Sequence, residues 1–285
     1  MRNSKVSMIY SLFAVLSCMG LLGAASKQGE LQIQPFFMQP LGTVIIDAGH
    51  GGRDPGAAGE VFSEPDNFQL LEKDLNLAVA IAAGRKLQMV RPDLDIVYTR
   101  EDDSYVSLWG RTHIANSALH QEGKSKLFVS VHVNASESAL PKGFEIWTLQ
   151  ETVKKDFFTT YVAEQGIVSM TESLNDELNR ELDAAAAAAA RNIHASLQNF
   201  LSNKTRNRGM KEGRFYVLEH AVMPSVLIET GFLSNKEEAA LLNSPEWRDT
   251  LSSAIAAGII SYADELSDNA APLIEESPPE NDIEQ

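Results

Sequence analysis

Short apolar runs alternate along the chain with longer stretches in which apolar residues recur every three or four positions. The short runs predict strands at 43–47, 94–99, 127–133, 143–149, 215–218 and 226–229. The longer stretches predict helices at 73–90, 107–117, 173–201 and 247–263. This alternation predicts an α/β fold in which helices cover a largely parallel sheet.

Two of the predicted helices differ in how they should pack. The apolar stripe of the first predicts one buried face and consists of Leu75, Val79, Ala82 or Ala83, Leu87 and Val90. The third contains an alanine run at 184–190. Alanine favours the helix but buries little area, so we expect this run to pack weakly. The apolar face of its second half consists of Ile193, Leu197, Phe200 and Leu201.

Composition limits the class of protein. The chain has 285 residues, of which 44% are hydrophobic, which is enough for a sizeable core in one large or two small domains. We take a single compact domain with appendages as the starting interpretation. Its formal net charge is −15. We therefore expect no nucleic-acid binding, because phosphate contacts require a basic face.

The two ends of the chain differ in composition from its middle. A basic start and an apolar run to about residue 22, followed by small residues, are typical of a secretory signal peptide over 1–25. An uncleaved anchor is the alternative, since the run approaches the ~20 residues that span a bilayer. Cys18 is the only cysteine, and it makes a lipoprotein signal a further hypothesis. We predict a lead-in at 26–41 and a disordered acidic tail at 267–285.

Two histidines follow predicted strands. His50 lies in a glycine-rich turn after the first strand, and His132 lies near the end of the strand at 127–133, on the same face as Phe128 and Ser130. If the strands are parallel, both histidines reach the carboxyl edge of the sheet, where α/β folds place their sites. Either one alone could be a solvated or core histidine, but the pair favours metal ligands.

Two glutamates are candidates for the same site. Glu72 lies at the start of the first helix, where the helix dipole favours a carboxylate whatever its function. Glu229 directly follows an apolar strand, where a carboxylate costs desolvation energy unless it is paired or near a metal. Spacing alone leaves open the competing ligands Glu64, Asp66 and Asp74. For Glu229 the alternative to a catalytic role is an ion pair with Arg100, Arg111 or Arg214.

Four segments, taken in order, resemble one known family. They are DAGHGG at 47–52, EKDLNL at 72–77, SVHVN at 130–134, and Glu229 with GFLSN at 231–235. They resemble the zinc-dependent N-acetylmuramoyl-L-alanine amidases of the AmiC/CwlV-like catalytic domain family. The resemblance implies a single catalytic domain at 42–266, built on a twisted, mostly parallel six-stranded sheet flanked by helices.

The resemblance also implies a site and an activity. His50, Glu72 and His132 correspond to Zn²⁺ ligands and Glu229 to the catalytic glutamate, and three protein ligands leave a position open for water. The implied reaction is hydrolysis of the amide between N-acetylmuramic acid and L-alanine in peptidoglycan, for cell-wall remodelling or daughter-cell separation. The enzyme would then be exported to the periplasm or cell envelope, with membrane contact only through a signal anchor or a lipid.

Two insertions depart from the simple family pattern, at about 60–70 and 150–190. In some relatives the second region carries a helix that covers the zinc until a partner protein removes it. We therefore consider autoinhibition and an activator partner, with a passive insertion as the alternative. The residues that could then reach the metal are Glu164, Glu172 and Glu177.

Two other functions compete with the amidase. A zinc peptidase could use the same residues to cut within the stem peptide, and a catalytically silent wall-binding or divisome adaptor could use the fold alone. Silent homologues usually lose a ligand or the glutamate, whereas this chain retains all four. Candidates for contacting the peptide are Asn134, Glu145 and Arg214.

Overall fold

The computed structural model describes residues 36–61, 68–157, 165–202 and 204–270. The predicted signal peptide, Cys18, most of the lead-in and the tail beyond residue 270 lie outside the described residues.

Strands and helices alternate as the sequence pattern predicts. The strands are β1 (Leu41–Ala48), β2 (Ala58–Val61), β3 (Phe68–Leu71), β4 (Asp95–Tyr98), β5 (Ser125–Asn134), β6 (Phe144–Leu149), β7 (Asn207–Gly213) and β8 (Ser225–Phe232). The helices are α1 (Glu72–Val90), α2 (Leu108–Ser117), α3 (Gln165–Leu201), α4 (Tyr216–His220), α5 (Lys236–Asn243) and α6 (Pro245–Ala270).

Six strands form one sheet in the order β4-β1-β5-β8-β6-β7. The first four run parallel to one another. β6 is antiparallel to β8, and β7 is parallel to β6. The predicted α/β class and mostly parallel six-stranded sheet are therefore confirmed. β2 and β3 form a separate antiparallel hairpin.

Two apolar layers cover the two faces of the sheet. Residues such as Ile46, Val129 and Ile228 face the larger layer, which α1, α3 and α6 cover. Ile45 and Phe128 face a smaller layer covered by α2 and α4. Because side chains alternate along a strand, the second face also carries the polar positions near the strand ends. The site is built on that face.

The alanine run is more deeply packed than predicted. Its members Ala185, Ala188, Ala189 and Ala190 are buried, and the last three belong to the main core together with side chains of α6. The two helices approach closely, since a Cβ on Gly258 of α6 would lie 2.5 Å from the Cα of Ile193. The expectation of weak packing was wrong because small side chains allow helix backbones to come together.

Several other local predictions are corrected. The segment at 215–218 was predicted as a strand but belongs mostly to helix α4. The strand at that edge of the sheet is instead β7, which was not predicted because its sequence NRGMKEG is polar. Val90 and Phe200 are exposed at 62% and 44%, so neither continues its apolar stripe. Residues 267–270 form the last turn of α6 rather than the beginning of the tail.

Candidate active site

Three side chains of types that can bind a metal ion converge at the carboxyl edge of β1 and β5. One ligand atom each from His50, Glu72 and His132 lies within 4.8 Å of the other two. Glu72 Oε1 is 3.2 Å from His50 Nε2 and 3.0 Å from His132 Nδ1. Glu72 opens α1 and is buried, whereas the competing Asp74 is exposed. Glu64 and Asp66 lie outside the described residues.

The glycine-rich turn after β1 is shaped around His132. His50 itself has a positive φ of 59°, a conformation that non-glycine residues seldom adopt. A Cβ on Gly49 would lie 2.2 Å from the His132 ring, so only glycine fits there. The turn thus lets two imidazole rings approach to 5.1 Å between centroids, edge to face.

Two buried arginines hold this turn through its carbonyl groups. Arg111 of α2 donates to the carbonyl oxygens of Ala48 and His50, both at 2.6 Å. Arg100, after β4, donates to the carbonyl oxygens of Ala48 and Gly49, both at 2.9 Å. These bonds satisfy carbonyl groups that a sharp turn would otherwise leave unpaired.

A buried carboxylate anchors one of those arginines beneath the turn. Asp47 accepts hydrogen bonds from Arg111, Thr99 and Ser130, each at 2.6 Å. Burial would raise the pKa of Asp47, but Arg111 and the two hydroxyl groups outweigh burial and lower it. Sequence reasoning did not assign this network, although the DAGHGG motif includes Asp47.

Asp54 orients the His50 ring from the side away from Glu72. Its Oδ2 lies 2.9 Å from His50 Nδ1. A carboxylate on the second ring nitrogen is the usual partner of a metal-binding histidine, because it selects the tautomer with Nε2 free. The sequence pattern assigned no role to Asp54, because its role depends on this contact with His50.

The charges in the cluster favour a cation. Burial would raise the pKa of Glu72, but hydrogen bonding with His132 and His50 reverses this effect and lowers it far below the ordinary range. Burial also opposes charging His50, yet Glu72 and Asp54 raise its pKa. Both pKa shifts arise because the negative Glu72 carboxylate and a positively charged imidazole stabilise each other. A bound cation would stabilise the Glu72 carboxylate in the same way.

Glu229 lies beside the cluster without joining it. It is the register partner of His132 on the neighbouring strand, and its Oε2 is buried with no hydrogen-bond partner among the described residues. Burial raises the pKa of Glu229 to about 7.

None of the three arginines considered for an ion pair with Glu229 forms one in the described part of the chain. Arg100 and Arg111 hold the turn, and Arg214 pairs with Glu219 at 2.7 Å.

A cavity of about 320 Å³ opens directly over these residues. Its lining includes His50, His132 and Glu229, together with residues of α2, of α4 and of the loops that precede these helices. Arg214 is part of this lining, whereas Asn134 and Glu145 are not. A substrate group in the cavity would therefore contact the metal-binding cluster and Glu229 together.

The described part of the 150–190 segment lies away from this cavity. Leu178 and Leu182 of α3 pack against Phe37, which precedes β1 at the opposite edge of the sheet. Glu172 is exposed, and Glu177 pairs with Arg180. Glu164 lies outside the described residues.

The residues present fit a zinc ion. Two imidazole nitrogens and one carboxylate oxygen are ligand types that zinc prefers, and three protein ligands are typical of catalytic rather than structural sites. Asp54 supplies the partner expected behind a histidine ligand. The Glu229 oxygen that has no partner among the described residues lies next to His132 and is available as a proton acceptor.

Comparison with known proteins agrees with the motifs. A family model described as N-acetylmuramoyl-L-alanine amidase matches residues 44–261. The uncharacterized protein YqiI of Bacillus subtilis is 36% identical over 225 residues, covering 78% of this chain and 85% of YqiI.

Two solved structures share the fold. The catalytic domain of CwlV, an N-acetylmuramoyl-L-alanine amidase from Bacillus (Paenibacillus) polymyxa var. colistinus, matches with a TM-score of 0.58 and 28% identity, covering 79% of this chain and 99% of the CwlV domain. The CwlD amidase from Clostridioides difficile, solved in complex with the GerS lipoprotein, matches with a TM-score of 0.57 and 25% identity, covering 78% of this chain and 98% of CwlD. Since the family model spans most of the sheet and its helices, the chain belongs to the N-acetylmuramoyl-L-alanine amidase family.

Proposed function

We propose that this amidase is zinc-dependent, that His50, Glu72 and His132 hold the ion, and that Glu229 is the catalytic proton carrier. One observation carries the proposal. Three ligand atoms converge within 4.8 Å beside a buried glutamate oxygen that has no partner among the described residues. When bound, zinc supplies a Lewis acid that polarises the scissile carbonyl and lowers the pKa of a water.

The protein's own groups complete the reaction. The scissile bond joins the lactyl carbonyl of N-acetylmuramic acid to the amine of L-alanine. Glu229 accepts a proton from the attacking water and returns it to the leaving amine. Burial raises the pKa of Glu229 above its ordinary value, which makes the carboxylate a better proton acceptor than an exposed glutamate. Asp54 and the arginine-held turn keep His50 in place.

The bond that is cut can be identified directly. We expect the zinc-loaded protein to release from peptidoglycan stem peptides that begin with L-alanine, and we expect a chelator to stop the release. Mass spectrometry of the soluble products measures both. New amino termini within the stem peptide would instead indicate a zinc peptidase. Binding to peptidoglycan without any released amine would indicate a silent adaptor.

Regulation by the 150–190 segment has no support from the described residues, because Leu178 and Leu182 of α3 pack against Phe37 at the edge of the sheet opposite the site. An activator protein remains part of the proposal on other grounds. The related CwlD amidase is solved with the GerS lipoprotein, so a member of this family can bind a protein partner. Co-purification with envelope proteins, followed by an assay of stimulated turnover, tests this point.

Export is also part of the proposal. Peptidoglycan lies outside the cytoplasmic membrane, so an enzyme acting on it must cross that membrane, and the predicted signal peptide at 1–25 provides a route. The mass of the mature protein distinguishes cleavage after Ala25 from acylation at Cys18. Among the described residues, no helix is sufficiently long and apolar to span a bilayer.

A further inference from the structure

A buried carboxylate on β6, next to the site, forms hydrogen bonds with two cationic side chains. Glu145 Oε1 accepts hydrogen bonds from Arg208 Nε and from Lys211 Nζ, the latter at 2.6 Å. Its Oε2 accepts from Trp147 Nε1 at 3.0 Å and from Asn134 Nδ2 at 3.4 Å. Glu145 itself is 1% exposed. We name Arg208 and Lys211 the β7 cation pair.

The β7 cation pair exists because the strand is irregular. Residues three apart on a regular strand point to opposite faces of the sheet. Here the pairing of β6 with β7 shifts register between Phe144 and Ile146, and Gly209 has a φ of 85°. This irregularity puts Arg208 and Lys211 on the same carboxylate. Strand irregularities of this kind often redirect side chains next to active sites.

The pair lies on the site's face of the sheet. Glu145 is the register partner of Glu229 across the antiparallel β6–β8 pair, and paired residues share a face. His132 pairs with Glu229 on the other side. From β5 to β7, the side chains on this face are therefore His132, Glu229, Glu145 and then the β7 cation pair. β7 lies about 10 Å from β8, which is two strand spacings.

The β7 cation pair has more positive charge and more hydrogen-bond donors than Glu145 alone can pair with. Two cations face one carboxylate, so one positive charge is left over, in a chain with a formal net charge of −15. Arg208 bonds Glu145 through Nε and lies over the Phe232 ring at 4.8 Å. Its two terminal nitrogens have no hydrogen-bond partner within the described ranges. Arg208 and Lys211 keep 26% and 32% of their side chains exposed, so a ligand can reach both.

We propose that the β7 cation pair binds a free carboxylate of the peptide on the leaving side of the scissile amide. This proposal rests on the proposed function, which puts the scissile amide beside His132 and Glu229, and it takes the leaving peptide to run across β6 toward β7. In a stem peptide with a γ-linked glutamyl residue after L-alanine, the glutamyl α-carboxylate is free. It lies at most about 7 Å from the scissile amide, which is two extended residues. Arg208, whose guanidinium group already contacts Glu145, can form a hydrogen bond with this carboxylate.

Binding of two matched peptides tests the proposal without requiring turnover. The probes are L-alanyl-γ-D-glutamyl-L-lysine amide and the same peptide with the glutamyl α-carboxylate amidated, so they differ by one charge. Calorimetric titration of the zinc-loaded protein should give an affinity about tenfold or more higher for the acid, since hydrogen bonds to charged groups are strong. Arg208→Gln and Lys211→Gln should lower the affinity for the acid to that for the amide.

The control is Arg206→Gln, which removes the same charge from an exposed residue just before β7. This variant should keep the preference for the acid. Equal affinity of the wild type for both peptides would overturn the proposal. So would a preference that survives the double substitution, because the carboxylate would then bind elsewhere. If Arg208→Gln lowers the affinity for the acid peptide and for the amide peptide equally, the β7 cation pair has only a structural role.

The outcomes separate this site from the proposed function. A protein that prefers the acid but releases no stem peptides from peptidoglycan keeps the cation site and contradicts the amidase mechanism. A protein that releases stem peptides without preferring the acid keeps the mechanism and contradicts the cation site.

Discussion

At the residue scale, the candidate site consists of side chains that separate elements bring to one edge of the sheet. The sequence pattern predicted His50 and His132 at one edge of the sheet, because each lies at the end of a strand and parallel strands end at the same edge. The choice of Glu72 over its neighbours came from the family resemblance and not from spacing. Asp54 and Asp47 were missed as functional positions because their roles depend on contacts between elements.

The Glu229 side chain should be needed for turnover and not for metal binding. Glu229→Gln preserves the shape of the side chain but cannot accept the water's proton. We expect kcat to fall about 10²- to 10⁴-fold, the usual contribution of general acid–base catalysis, while zinc content stays at the wild-type level. Steady-state kinetics and metal analysis measure the two effects. A variant with near-wild-type turnover would show that Glu229 is not the proton carrier.

The Asp54 carboxylate should strengthen metal binding without binding the metal itself. Asp54→Asn weakens the partner of His50 Nδ1. We expect zinc affinity to fall about 10- to 100-fold, as is typical for such partners. Competition with a fluorescent chelator measures the affinity. Asp93→Asn is the control, since Asp93 pairs only with the surface residue Arg91 among the described residues. Unchanged affinity in Asp54→Asn would mean that Asp54 does not support the ligand.

Elements were predicted well where apolar patterns were clear and poorly where packing or pairing decided the structure. The strands of the parallel core were recognisable as apolar runs. β7 was missed because its partner β6, and not its own side chains, holds it in the sheet. The hairpin of β2 and β3, which overlaps the 60–70 insertion, was not predicted. The depth of the alanine run reflects the close approach of α6, which no local pattern reveals.

The alanine run supplies a test of how closely α3 and α6 pack. Ala189 is fully buried in the main core, to which side chains of α6 also belong, whereas Ala184 is exposed on the same helix. Ala189→Leu should lower the free energy of unfolding by about 1–3 kcal/mol, because added methyl groups strain a packed interior. Ala184→Leu should change it little. Urea denaturation compares the two. Similar stability of both variants would contradict the close packing of the run.

At the scale of the whole molecule, one buried ion pair joins four elements. Asp47 of β1 contacts Arg111 of α2, Ser130 of β5 and Thr99 after β4. Its lowered pKa means that the folded state holds the charged form more tightly than the unfolded state does. Such a carboxylate stabilises the fold above the unfolded pKa of about 4, and this contribution is lost as the pH falls through the folded pKa.

Acid should therefore weaken the fold partly through Asp47. We expect Asp47→Asn to lose about 3–5 kcal/mol of unfolding free energy at pH 7, because it leaves Arg111 buried without its counter-charge. We also expect a shallower fall in stability than the wild type shows below pH ~4. Denaturant titrations at a series of pH values measure both. An acid slope identical to that of the wild type would show that Asp47 does not contribute to it.

Zinc reconstitution tests most directly whether the three-residue cluster is the catalytic centre. Metal-free protein is titrated with zinc while the release of L-alanine-terminated stem peptides is followed. We predict that turnover rises in proportion to added zinc and reaches a plateau at about one ion per chain, and that His132→Ala shows no such rise. Full turnover in the metal-free protein, or an undiminished rise in His132→Ala, would contradict the proposed centre.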